Sequence, residues 1–389
     1  MAIGLMIAAP AGAPVASGPA QFVLSPEGNH LWAYDAVTGE HQLVVRAING
    51  SAPGEPAPAA SDRRDINGQI CVSPDDTHVI TGEDTVVGEG DSHDPRIAGW
   101  GYFELSGSSL GEIAVHEVGK LAPAASGAGY AGDPDNYGCG FLDDNRLVTT
   151  AIGNTLPGQA ATGQLFLWFA PFDAGYRTET DGGVSFYVGE VPYCELDRTL
   201  ATAGGITVDD GDVYVATNRP DDEGHAGGVW RYRGTFPSSM SECTPEFLAA
   251  NVTKELVIPF LPLLPVDLRV PTPSAVVVSP DDTLYVSSVF TGTVSEFTKG
   301  GRWVRDIYPL SPITPFTGPL GNTPFGLAIT ADGTLWIADL GIIVAEPGPG
   351  LGSVIRVPFD GNGNPKLLGE TVRDGLQFPD GLGVYTPAG

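Results

Sequence analysis

Ser274–Ser288 reads SAVVVSPDDTLYVSS, and Phe325–Asp339 reads FGLAITADGTLWIAD. Each stretch is a small or aromatic residue, a short apolar run, an Asp-bearing turn and a second apolar run. Asp-Asp and Asp-Gly pairs bond their side chains to nearby backbone and tolerate positive φ, so each stretch predicts a tight hairpin. Looser copies run Asn67–Ile80 (NGQICVSPDDTHVI), Gly138–Thr150 and Gly204–Thr217. Copies recur every roughly 50 to 70 residues, room for four strands and two longer loops, the period of a β-propeller blade.

Two more strand-like runs follow the copies, such as Thr293–Thr298 and Trp303–Leu310, or Gly101–Leu105 and Ile113–Val118. No segment carries a long 3.6-residue apolar period, so helix should be scarce. The chain ends complete the count. Pro379–Tyr385 looks like a first strand with nothing after it, whereas Gln21–Leu24, His30–Asp35 and His41–Arg46 look like three strands lacking a first. Joined, they make one blade and close a ring without a free sheet edge. The expectation is an all-β chain, a single six-bladed propeller over residues 21–389 with four antiparallel strands per blade.

Composition agrees. The 389 residues include 53 Gly and 34 Pro, yet 42% are apolar, enough for a core. The formal charge is −28, and the Lys residues are Lys120, Lys254, Lys299 and Lys366 only. Phosphate neutralisation needs clustered cations, so no nucleic-acid partner is expected. An acidic shell suits a salt-rich or extracellular setting. No stretch reaches the roughly 18 apolar residues of a membrane span. Met1–Ala20 resembles the apolar core of a signal peptide without its basic start, which points to a secreted or periplasmic protein, or else to a disordered leader. The sequence carries no signal of oligomeric state.

Cys71, Cys139, Cys194 and Cys243 have no metal-ligand spacing. Cys71 and Cys139 fall on innermost strands of adjacent blades and read as buried free thiols. The pattern predicts that Cys194 follows a fourth strand and Cys243 precedes one. A strand spans roughly 17–20 Å, beyond the disulfide reach of about 7 Å between Cα atoms, so only a folded-back loop at Cys243 would let them pair.

Turns between first and second strands are short. The long connections fall on the other face: Asp84–Gly99, Leu121–Asp135, Cys194–Ala203, Asn218–Gly227, Leu261–Thr272, Leu310–Thr323 and Leu340–Gly352. Long loops on a rigid scaffold are where function concentrates. The residues that open each first strand converge there on the axis. To within one residue they are Asn67, Asn136, Ala203 or Gly204, Ser274, Phe325 and Asp380. Asp380, Asn67 and Asn136 are neighbours in cyclic order, and a carboxylate with amide oxygens suits a hard cation such as Ca2+. Glu83, Asp84 and Asp135 lie beside them. The competing account is that Asn-Gly and Asp-Gly are only turn chemistry.

This six-blade pattern, with Pro379-Asp380-Gly381 and Ile66-Asn67-Gly68 before inner strands, resembles the gluconolactonase/regucalcin superfamily. Strictosidine synthase-like and paraoxonase-like propellers are similar. The resemblance implies a divalent cation at the tunnel mouth, with Asn67, Asn136 and Asp380 at the matching positions and no clear counterpart of the family's glutamate. It implies a lactonase or esterase acting on a small organic molecule.

A cation would polarise an ester carbonyl while a carboxylate or His activates water or attacks directly. His93, within DSHDP, and His225, within DDEGH, sit in long loops of that face with acidic neighbours, and Glu83 and Asp84 are carboxylate candidates. His30, His41, His78 and His116 fall on strands or hairpins and read as structural. Tyr137, Asn218, Ser274, Phe290 and Phe325, with Phe316, are placed to line an entrance for a small molecule. No strand-to-helix turn exists for a Ser nucleophile elbow, and no Gly-rich phosphate loop precedes a helix. Two other classes remain open: a non-enzymatic propeller that binds a ligand or protein at the same face, and an enzyme of condensation or isomerisation.

Overall fold

The structure is a computed structural model, and it describes residues 20–28, 30–45, 66–83, 98–123, 130–131, 135–153, 162–181, 184–217, 226–260, 272–289, 291–308, 323–343, 346–347, 350–366 and 369–387. The expected leader, residues 1–20, falls almost wholly outside them. Six four-stranded antiparallel sheets form the blades of a β-propeller. Blade 1 joins the two chain ends: Gly383–Tyr385 is its innermost strand, followed outward by Phe22–Glu27, His30–Asp35 and His41–Val45. The closing ladder pairs Phe22 with Tyr385, Val23 with Val384 and Leu24 with Gly383.

The innermost strands of blades 2 to 6 are Ile66–Val72, Asn136–Asp143, Ile206–Asp209, Pro273–Val278 and Pro324–Ile329. Each turns back into its second strand through the expected tight turn. Asp76, Asp210 and Asp282 hold positive φ there, as does Gly333. Asp75 and Asp332 accept hydrogen bonds from the amides of Thr77 and Thr334, two residues on. Asp and Gly are chosen at these positions because other residues would be strained.

Apolar side chains from the faces of neighbouring blades meet to form the core. Between blades 2 and 3, Ile80, Trp100 and Leu121 pack on Leu147, Phe166 and Trp168, all fully buried. The Trp100 and Trp168 rings lie 5.8 Å apart, edge to face. Burying one such indole removes roughly 200 Å2 from water, about 5 kcal/mol as an upper value. The only α-helix among the described residues is Pro245–Asn251.

Three sequence readings need correction. Tyr193–Leu200 is the fourth strand of blade 3, not a long loop, and the connection before it carries an inserted hairpin of Arg177–Asp181 and Val184–Val188. Cys194 therefore stands at the start of a fourth strand, and Cys243 stands in the connection that leads through the helix Pro245–Asn251 to the fourth strand of blade 4, Val252–Phe260. Both lie where third strands pass into fourth strands, and they form a disulfide with Cα atoms 5.6 Å apart. Cys71 and Cys139 are also paired, not free, with Cα atoms 5.9 Å apart. Their strands approach this closely because glycines line the seam. A Cβ on Gly68 would lie 2.6 Å from the carbonyl oxygen of Tyr137, and one on Gly82 only 2.2 Å from that of Asn136.

Candidate functional site at the axial mouth

Ladder register decides which side chains reach the axis. Ile66 pairs with Glu83, Asn136 with Ala151, Pro273 with Ser288 and Pro324 with Asp339, and the pairing slips within the next few residues in every case. These bulges re-aim the residues that follow. Asn67, Tyr137, Ser274 and Phe325 are consequently equivalent, and Asn136 stands one residue earlier. Blade 3 thus presents Tyr137 where blade 2 presents Asn67. Buried hydroxyls of the second strands satisfy the bulged backbone: Thr81 donates to the Asn67 carbonyl (3.0 Å), Thr150 to that of Gly204 (2.6 Å) and Ser287 to that of Phe325 (2.8 Å).

Tyr137 crosses the axis. Its hydroxyl donates to the main-chain carbonyl of Asp380 in blade 1 at 2.6 Å. Its ring meets Phe325 of blade 6, the opposite blade, edge-on at 4.8 Å. Gln69 makes a second beam, accepting from the Ile206 amide (2.8 Å) and donating to the Ile206 carbonyl (2.7 Å) across the front of blade 3. Side chains therefore fill the axis behind the mouth.

Asp380 is 2% exposed. One carboxylate oxygen, Oδ2, accepts from the Gly68 amide at 3.0 Å. The other, Oδ1, is buried and has no hydrogen-bond partner among the described residues. Burial pushes the Asp380 carboxyl up to about 8; the nearby Asp135 carboxylate adds to the rise and the Gly68 amide opposes it. Asn136 is fully buried, donates to the Glu83 carbonyl (3.3 Å) and accepts from the Tyr130 hydroxyl (2.7 Å). Ser274 is buried and donates to the Thr272 carbonyl at 3.3 Å.

The Glu83 side chain turns away from the axis and ion-pairs with the buried Lys120 of the outermost strand Ala114–Leu121. Asp84, His93, Asn218, His225, Phe290 and Phe316 lie outside the described residues. Among the described residues no group of three or more His, Cys, Asp and Glu side chains is placed to hold a metal ion. A cation at this mouth would depend on amide oxygens as well.

One residue escaped the sequence reading. Asp339 ends the second strand of blade 6, and its Oδ1 accepts from the Thr323 amide, the Thr323 hydroxyl and the Gly341 amide, each at 3.0 Å. Its Oδ2 is buried without a hydrogen-bond partner among the described residues, and burial raises its pKa. The signal was in the repeat: second strands in blades 1, 2 and 6 end on Glu27, Glu83 and Asp339. Glu27 is buried against Tyr34 and Arg373, 2.8 Å from the latter.

A chain of the nidogen/laminin complex superposes with a TM-score of 0.52 at 12% identity, over 94% of this chain and 98% of that one. The likeness is one of fold. The periplasmic gluconolactonase of Pseudomonas aeruginosa aligns at 13% identity over 95% of this chain and 100% of its own, with a TM-score of 0.48. A luciferin-regenerating enzyme aligns at 13% identity over 93% of this chain and 100% of its own, with a TM-score of 0.44. No protein-family model matches the chain, and no curated protein matches it.

Proposed function

We propose that this propeller is a hydrolase of the lactonase or esterase type, acting at the axial mouth on a small organic substrate with a divalent cation, Ca2+, as cofactor. The observation that carries the reading is Asp380: a carboxylate drawn out of water, held by Gly68 on one oxygen and unpartnered among the described residues on the other. Leaving such an oxygen unsatisfied is costly, and a hard cation is a partner that satisfies it. Asp380, Asn67 and Asn136 would hold the ion through a carboxylate and amide oxygens. Bound there, it would polarise an ester carbonyl as a Lewis acid.

The chain's own residues supply the rest. Tyr137 and Phe325 form the floor, so a substrate enters and leaves by the mouth alone. The Glu83–Lys120 ion pair fixes the strand end whose carbonyl holds the Asn136 amide. With Glu83 so committed, we assign activation of water to His93, His225 or Asp84. Two disulfides fit an oxidising compartment, hence secretion or the periplasm. No helix among the described residues is long and apolar enough to cross a membrane.

The test is hydrolysis of a panel of aliphatic lactones and phenyl acetate, with Ca2+ and after chelation. Activity that chelation abolishes, Ca2+ restores and Asp380→Asn lacks is expected. Hydrolysis indifferent to chelator and to Asp380→Asn overturns the reading. A ligand-binding propeller without catalysis is the second reading. It is favoured by the Asn136 amide, whose nitrogen and oxygen both already have protein partners.

A further inference from the structure

The longest connections from third to fourth strands belong to blades 3 and 4. The first carries the hairpin Arg177–Asp181/Val184–Val188, and the second carries the 3-10 turn Met240–Glu242 and the helix Pro245–Asn251. The hairpin connection packs on the outermost strand of blade 2, where a Cβ on Gly189 would run into the Lys120 carbonyl. The Cys194–Cys243 disulfide ties the second insertion to the start of the fourth strand of blade 3. Pinned at these points, the insertions do not close on each other.

Between them lies a cavity of about 580 Å3 lined by Val191, Met240, Pro245 and Leu248, with the disulfide in its wall. That volume is in the range of small-ligand sites, roughly 300–1,000 Å3. No innermost-strand residue lines it, so it is separate from the axial mouth. Met240 is 49% exposed in it, more than any other large hydrophobic residue among the described residues except Val37. Open apolar surface pinned by a covalent bond calls for an occupant. Charge says which kind. Glu190 and Glu195 are in the lining, Glu195 paired with Arg198 and accepting from Gln164 at 2.6 Å. Arg177 is shared between Glu179 and Glu190, so the hairpin keeps an excess negative charge, and the whole chain carries −28.

We propose that this cleft is a second binding site, for a small amphiphile with an apolar body and a cationic head. The apolar body lies on Leu248, Val191 and Met240, and the head is drawn to Glu190, which shares its one arginine with Glu179. The site owes nothing to Asp380, and the axial chemistry can fail without affecting it.

Octylammonium titrated into the full, oxidised chain by calorimetry tests this, with octanoate and octanol as comparisons. Octylammonium is expected to bind at least about tenfold more tightly than octanoate, because only the head differs. Leu248→Arg should abolish the heat, with Met240→Arg as the surface alternative should Leu248→Arg fail to fold. Glu190→Gln should weaken the preference for ammonium by about threefold, and Asp380→Asn should leave binding unchanged. No heat with octylammonium, equal binding of octanoate, or retention in folded Leu248→Arg or Met240→Arg overturns the proposal. Loss in Asp380→Asn also overturns it, moving the binding to the mouth.

Discussion

The amide of Gly68 donates to Oδ2 of Asp380 at 3.0 Å, across 312 positions of sequence. The two residues open the innermost strands of blades 2 and 1, and they are in contact because a Cβ on Gly381 would fall 1.7 Å from the Gly68 carbonyl oxygen. Ring closure and the candidate site are therefore one structural event: pairing the last strand with the first brings this carboxylate to the mouth.

The carboxyl of Asp380 should give the metal-free protein a distinct pH dependence. Its folded-state pKa is raised by burial from 3.8 to about 8. Between those values the folded state keeps a proton that the unfolded chain releases. Stability is therefore greatest below the lower value, declines as pH rises through the window and levels above the upper one. Asp380→Asn should flatten that decline, by a few kcal/mol at its alkaline end. Urea denaturation at a series of pH values in chelator measures it, and parallel curves for both proteins would contradict it.

Calcium should reverse the trend. Ion binding needs the ionised carboxylate, so protons compete with Ca2+ for Asp380. With a pKa of about 8, affinity should rise about tenfold from pH 7 to pH 9. Calorimetric titration at the two pH values reads this directly. Asp380→Ala should show no saturable calcium response at either.

Removing Cys71–Cys139 should cost more than its sulfur contacts. The bond closes a loop of 68 residues, worth about 4 kcal/mol in the chain-entropy account. It also joins the strands that carry Asn67 and Asn136. Cys71→Ala with Cys139→Ala should lower the urea midpoint accordingly and raise amide exchange at Gly68. Cys194→Ala with Cys243→Ala, at the outer rim, should lower stability but leave Gly68 exchange unchanged.

Tyr137 separates two effects. Tyr137→Phe keeps the ring on Phe325 but leaves the buried Asp380 carbonyl without its donor, a loss of about 1–2 kcal/mol. Tyr137→Ala also empties the floor of the mouth, at about 3–5 kcal/mol. Thermal denaturation of both variants checks the order, and equal melting temperatures would show that the phenolic bond, not the ring, dominates.

Much of the fold was open to a reader of the chain. The paired apolar runs around Asp-Asp and Asp-Gly turns report local physics: alternation sets strands, and side-chain-to-backbone bonds set turns. The unmatched ends, Pro379–Tyr385 and Gln21–Arg46, supplied the closure. Asp380 and Asn67 could be placed at the mouth from the same repeats.

What the repeats could not show arises from contacts between blades. A bulge in the inner strands of blades 2, 3, 5 and 6 shifts register after the first paired residues, so Tyr137, not Asn136, occupies the axial position of blade 3. Both disulfides follow from distances between strands far apart in sequence, set by the glycine seam and by an inserted hairpin. Turn and strand preferences act over a few residues and are written in the chain. Which side chains lose water together depends on how six sheets pack, and only the assembled ring settles that.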